Sequence, residues 1–187
     1  MGYDLYTQML QEAVNKRRGI KSAEKTDAEI DLGLEAYLPT DYVADSRQKI
    51  ELYKRIREAD SDEAETEISE DLIDRFGDYP QPVTNLLAIA HLKRFADLAW
   101  VNHVTKAGQK LTVVLSPQAT TKAQGEPIFK ALSATTLKAQ IAITDGKLTV
   151  TLALPKDMKT VTWLDQLTGF LQGLLTVVNP QPEKKSA

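Results

Sequence analysis

The spacing of apolar residues changes period near Trp100, and this change limits the fold more than any other feature of the chain. Upstream, apolar residues recur at helical intervals; downstream, short alternating runs of strand type are broken by turns. Val101 to Thr105 and Leu111 to Leu115 read as strands around a Gly108 turn, followed by a helix over Pro127 to Ser133. Gln140 to Thr144 and Lys147 to Leu154 flank Asp145-Gly146, a strong two-residue hairpin signal. That turn sets Ile143 opposite Leu148 and Ile141 opposite Val150, so apolar residues meet apolar residues. A last helix, about Thr160 to Thr176, carries Val161, Leu164, Leu171, Leu174 and Leu175. The second half is therefore strand-strand-helix twice. Neither unit can bury its apolar face alone, so the two together predict a four-stranded antiparallel sheet with helices on one face.

In the first half, Tyr6, Met9, Leu10, Ala13 and Val14 share one helical face, and Lys16-Arg17-Arg18 followed by Gly19 closes that helix. Residues 19–28 are polar and unpatterned, as in a flexible linker. Ile30, Leu32 and Leu34 alternate with polar residues, predicting a short strand over Glu29 to Leu34. Three helices follow. The first opens at Asp45 with Ile50, Tyr53 and Ile56 as its buried stripe. The second runs from Ser61 to Phe76 with Ala64, Ile68 and Leu72 inward, and Gly77 stops it. The third begins near Pro82 and is apolar on several sides, which predicts the deepest burial of the three. The class is α+β. The organisation expected is a linking helix over 1–18, the linker over 19–28, a domain over 29–178 and a disordered tail over 179–187. Within the domain, 29–99 is mainly helical and 100–178 is ββαββα.

Several function classes are excluded by what the chain lacks. It has no cysteine, so disulfides and thiolate metal sites are impossible. A net charge of -3 gives no global attraction to nucleic acid. There is no phosphate-binding glycine loop, no nucleophile elbow and no zinc-protease motif. His91 falls in a helix and His103 in a strand, and no spacing ties either to a nucleophile, so both read as structural. No catalytic residue, metal or cofactor is expected. No apolar run is long enough to span a bilayer, and the N-terminus lacks a signal peptide and a myristoylation match. A cytoplasmic protein is expected.

Between Glu58 and Asp74 the chain holds nine acidic residues and no basic one. Acids at Asp60, Asp62 and Glu63 suit the N-terminus of the second helix, where the macrodipole favours negative charge. Glu70, Asp71 and Asp74 lie toward its C-terminus, where the dipole disfavours them. Asp71 and Asp74 project from one face at i, i+3, and Arg75 can bridge back to Asp71 at i+4. A solvated helix face and a docking surface for a basic partner both fit this pattern. The EF-hand spacing needed for calcium is absent.

Leu38-Pro39-x-Asp41-Tyr42-Val43, Arg47-x-x-Ile50-x-Leu52-Tyr53-Lys54-Arg55-Ile56 and Asp71-Leu72-Ile73-Asp74-Arg75-Phe76-Gly77-x-x-Pro80 together resemble the C-terminal domain of bacterial transcription-repair coupling factors. Gly2-Tyr3-Asp4-Leu5-Tyr6, Met9-Leu10 and Ala13-Val14 resemble the helix joining the motor of that family to this domain. The resemblance covers about residues 2 to 100. It implies a parent ATP-driven DNA translocase that displaces stalled RNA polymerase and recruits the excision-repair protein UvrA. It further implies that this domain is not catalytic and rests against the N-terminal, UvrA-binding module of the same protein, masking it. The docking residues so implied are Asp71 and Asp74, with Glu70 and Glu67 beside them. Asp71 stands where glutamate is usual, one methylene shorter.

Two other functions compete. A four-stranded sheet with two helices can serve as a single-stranded nucleic-acid platform, but apart from Trp100 at their edge the predicted strands carry no aromatic residue for base stacking. A hydrolase built on the acidic run would need a desolvated carboxylate pair, and nothing in the sequence supplies one.

Overall fold

The structure, a computed structural model, describes residues 25–180. The helix expected over 1–18, most of the linker and residues 181–187 lie outside this range. The elements are β1 (Glu29–Asp31), α1 (Ser46–Glu58), α2 (Asp62–Phe76), α3 (Gln81–Leu98), β2 (Val101–Ala107), β3 (Lys110–Leu115), α4 (Pro117–Ala123), α5 (Glu126–Leu132), β4 (Lys138–Thr144), β5 (Lys147–Ala153) and α6 (Thr160–Val178).

The sheet has five strands in the order β1-β2-β3-β5-β4, not four. The fifth is β1, which lies parallel to β2 with Ile30 opposite Val104, so the sheet is mixed. A parallel partner from far upstream leaves no hairpin signal, and β1 is shorter than its alternating pattern because Gly33 adopts a positive φ of 67° just beyond it. The expected antiparallel core of four strands is present, with β2 on β3, β3 on β5 and β5 on β4. In the last hairpin Ile143 faces Leu148 and Ile141 faces Val150, as the turn signal required. Asp145 and Gly146 have φ of 54° and 75°, the two positive values that a type I′ turn demands.

Helices cover one face of the sheet. Leu111, Val113, Leu115, Leu148, Val150 and Leu152 point into a core closed by α6, whose Leu167, Phe170, Leu171 and Leu174 are fully buried. Gly173 brings α6 against α5, where an added Cβ would lie 3.0 Å from the Ala131 carbonyl oxygen. Helix α4 has no counterpart in the periodicity of the sequence. It buries Ala119, Thr120 and Ala123, residues too small to make an apolar stripe, and Ser116 caps it by accepting from the Ala119 N–H.

A second, smaller core joins Leu38, Val43, Leu52, Ile56, Ile68, Leu72 and Val83. Helix α1 buries Leu52 and Ile56 at i, i+4, while Ile50 of the expected stripe is 69% exposed because it sits about 140° round the helix from the middle of that pair. Tyr53 is also exposed, its hydroxyl accepting the Leu38 N–H at 2.7 Å.

Helix α3 belongs to both cores. Val83, Leu86, Leu87 and Ala90 pack in the smaller one; Leu92, Phe95 and Ala96 pack in the larger. Helix α3 thus links the mainly helical segment to the sheet segment through shared packing. Residues 26–28 are not free linker: Ala28 is 2% exposed, its N–H donates to Asp97 at 2.7 Å, and the Thr26 hydroxyl donates to the Val101 carbonyl at 2.6 Å. Asn179, in the expected tail, donates from Nδ2 to the Leu98 carbonyl at 2.9 Å.

Leu92 is wholly buried in the part of α3 that meets the larger core. Leu92→Ala is expected to lower stability by about 2–5 kcal/mol in urea denaturation. Because α3 also builds the smaller core, the transition should remain single.

Candidate functional site

Helix α2 starts at Ser61, whose hydroxyl accepts the Ala64 N–H at 3.1 Å. It ends at Gly77, where a φ of 84° lets the backbone N–H close on the Ile73 carbonyl at 2.9 Å. Ile68 and Leu72 bury one side against α1 and α3. Tyr42 braces the end: its hydroxyl donates to the Gly77 carbonyl at 2.8 Å, and its ring meets Phe76 at 5.7 Å. The helix is thus capped at both ends and packed along its inner side.

The acids of α2 divide into two sets. Asp62, Glu65 and Asp71 are engaged within the domain. Arg94 of α3 donates to Asp62 at 2.6 Å and lies 3.3 Å from Glu65, which also meets His91 Nδ1 at 2.7 Å. Asp71 Oδ2 accepts from Arg55 of α1 at 2.7 Å and from Arg75 at 3.3 Å. The hydrogen bond from Arg55, with that from Arg75, holds the Asp71 carboxyl below its ordinary range. The Arg75 bridge is the one its i+4 spacing predicts; the Arg55 bridge depends on how α1 packs against α2 and has no local signal.

Glu63, Glu67, Glu70 and Asp74 form the other set. All four are exposed, and no hydrogen bond or ion pair engages them among the described residues. Their spacing of four, three and four places them within a sector of about 60°, in a stripe about 16 Å long. Like charges at i, i+3 and i, i+4 cost an isolated helix about 0.2–0.5 kcal/mol per pair, and no cation among the described residues offsets that cost. Exposed Ile73 flanks the stripe. Of the residues expected at a docking surface, Asp74, Glu70 and Glu67 therefore lie together and unpaired, whereas Asp71 is spoken for at Oδ2. Glu63, at the N-terminal end of the stripe, is explained in the sequence by the helix dipole alone; the heptad-like spacing is the signal that groups it with the others.

Several other polar groups of this half pair with each other. Asp62, Glu65 and His91 bring three potential metal-ligand atoms within 4.8 Å, but the Arg94 guanidinium already neutralises both carboxylates. A cleft of about 300 Å³ between the three helices is walled by Ile56, Ile68 and Leu87, and four of its polar lining residues are engaged, Glu65 with His91 and Ser69 with Tyr79. His103 pairs with Glu29 at 3.1 Å on the uncovered face of the sheet. That face presents Thr105, Thr112, Thr149, Thr151 and Gln140, with no Phe, Tyr or Trp on any strand. Among the described residues, no helix is long and apolar enough to cross a membrane.

Residues 32–125 match the family model of the TRCF domain. The chain belongs to the TRCF domain family. A transcription-repair-coupling factor of Staphylococcus epidermidis is 39% identical over 169 residues, which cover 89% of this chain and 14% of that protein. One of Staphylococcus aureus matches with the same identity and coverage. The chain thus spans about one-seventh of the length of these relatives. The fold also matches a crystal structure of the C-terminal domain of transcription-repair coupling factor, with a TM-score of 0.78 and 36% identity over 85% of this chain and 98% of that one. This TRCF domain corresponds to the non-catalytic C-terminal region of the coupling factor.

The lowered Asp71 pKa has a defined consequence for stability. The bridges to Arg55 and Arg75 stabilise the fold above the unfolded pKa of aspartate, about 3.9, and are lost as pH falls through the lower folded value. Asp71→Asn is expected to be less stable than the native chain at neutral pH, with the two curves converging in acid. Denaturant melts at a series of pH values check this.

Proposed function

We propose that this TRCF domain is an autoinhibitory docking module, comprising residues 29–178, of a cytoplasmic transcription-repair coupling translocase. At rest it covers the UvrA-binding module of the same protein, whose parent also engages RNA polymerase and DNA. The observation that carries this reading is the stripe of four carboxylates on α2 that the domain leaves without cations while neutralising every other acid of that helix. Unpaired like charges on one helix are complementary to a basic surface and fix register more than they add affinity. Such a contact suits a latch, which must hold by a modest margin and still open.

In this proposal Asp74, Glu70 and Glu67 make the direct contacts. Asp71 contributes in two ways. Its Oδ2 clamps α1 to α2 through Arg55, and Oδ1, which has no partner among the described residues, remains available to an incoming guanidinium. The shorter side chain of aspartate matters less when its carboxylate is already pinned by two arginines.

Neutralising the stripe in the full-length parent as Glu67→Gln, Glu70→Gln and Asp74→Asn should raise UvrA affinity by about 5–150-fold, the range of an ordinary coupling free energy. Calorimetric titration with UvrA measures it. An unchanged affinity, with the fold intact by circular dichroism, contradicts the latch.

A further inference from the structure

The two edges of the sheet are built differently. Strand β1 is three residues long and carries Glu29 and Asp31. Strand β4 is seven residues long, is paired on one side with β5 alone, and is exposed throughout. It has none of the devices that protect an edge: no proline, no register shift against β5, and no charge except Lys138 at its first position. Its core-side residues are Ala139, Ile141 and Ile143, opposite Leu152, Val150 and Leu148. The β5 residues are buried under the helices, whereas Ile141 and Ile143 are 37% and 56% exposed. The helical layer stops short of β4.

The hairpin determines which backbone groups of β4 are free. The residues flanking a two-residue type I′ turn, Thr144 and Lys147, form a hydrogen-bonded pair, and such pairs alternate along the ladder. Thr144, Ala142, Gln140 and Lys138 therefore bond inward to β5. Ala139, Ile141 and Ile143 direct their N–H and C=O groups outward. Leu148 confirms the phase, since its N–H points away from β4 and donates to Thr120 Oγ1 at 2.8 Å. The residues with free backbone groups are thus the same ones that expose apolar side chains.

We propose that β4 pairs antiparallel with β4 of a second copy of this chain, about a two-fold axis at Ile141. That register sets Ile141 against Ile141 of the second copy and Ala139 against its Ile143, twice over. All outward backbone groups then meet outward groups, and the apolar core faces become continuous. Charge also matches: Lys138 falls beside Thr144 and Asp145 of the second copy, and no like charges meet. One strand pair buries far less than the roughly 1,600 Å² of a standard interface, so the dimer is weak and concentration-dependent. This surface is separate from the α2 stripe and does not depend on the docking role proposed for it.

Sedimentation equilibrium of the 187-residue chain from about 10 μM to about 1 mM, the range suited to a small interface, should show the mass rising from monomer toward dimer. Ile141→Lys, at an exposed position, should stay monomeric throughout while keeping the native circular dichroism and melting temperature. On the unmodified chain, amide exchange should slow with concentration at Ala139, Ile141 and Ile143 and not at Gln140 or Ala142. A native chain monomeric to the top of the range overturns the proposal. So does a dimer indifferent to Ile141→Lys, or one without the alternating protection.

Discussion

Helix α3 is the constraint on which the rest of this domain depends. Most helices have one apolar face; α3 has two, because it closes the small three-helix core with its first half and the sheet core with its second. Its polar residues do equivalent work. Arg94 and His91 reach back to Asp62 and Glu65 of α2, while Asp97 and Lys93 reach forward to the entering segment at Asp27 and Ala28. Burial pushes the Asp97 carboxyl up, against the Ala28 N–H and Lys93 that favour its charge, as expected for an anchor within the fold. The position of α2 on the sheet domain is thereby set by one helix.

That arrangement sorts the acids of α2 into bridged and unbridged sets. Carboxylates facing α1 and α3 are consumed as internal bridges, and those facing away are left in a line. The distinction matters because an acidic run by itself is ambiguous between a solvated face and a docking surface. Once Arg55, Arg75, Arg94 and His91 have been assigned to Asp71, Asp62 and Glu65, the four remaining carboxylates form an ordered row with a single geometry.

Much of the fold is legible in the sequence. The Asp145-Gly146 turn carries the hairpin register, and Asp45 and Ser61 mark helix starts by capping, because turn and cap chemistry are local. What escapes is non-local or small. Strand β1 joins a sheet whose other strands begin some seventy residues later. Helix α4 packs through alanines and a threonine that leave no periodic stripe. The candidate site is legible as a segment but not as a face: Asp71 and Asp74 stand out by motif and the Arg75 bridge by its i+4 spacing, whereas the Arg55 bridge to Asp71 requires the packing of α1. The burial of α3 follows from its apolar circumference, whereas its membership of two cores requires the tertiary arrangement.

The docking role proposed for the outward row of α2 is tested most directly by titrating the isotope-labelled chain with the UvrA-binding module and following amide and side-chain carboxyl shifts. The largest changes are expected at Glu63, Glu67, Glu70 and Asp74, with small ones at Asp62 and Glu65. Changes centred on the uncovered sheet face or on β4, with the α2 row unmoved, would contradict that role.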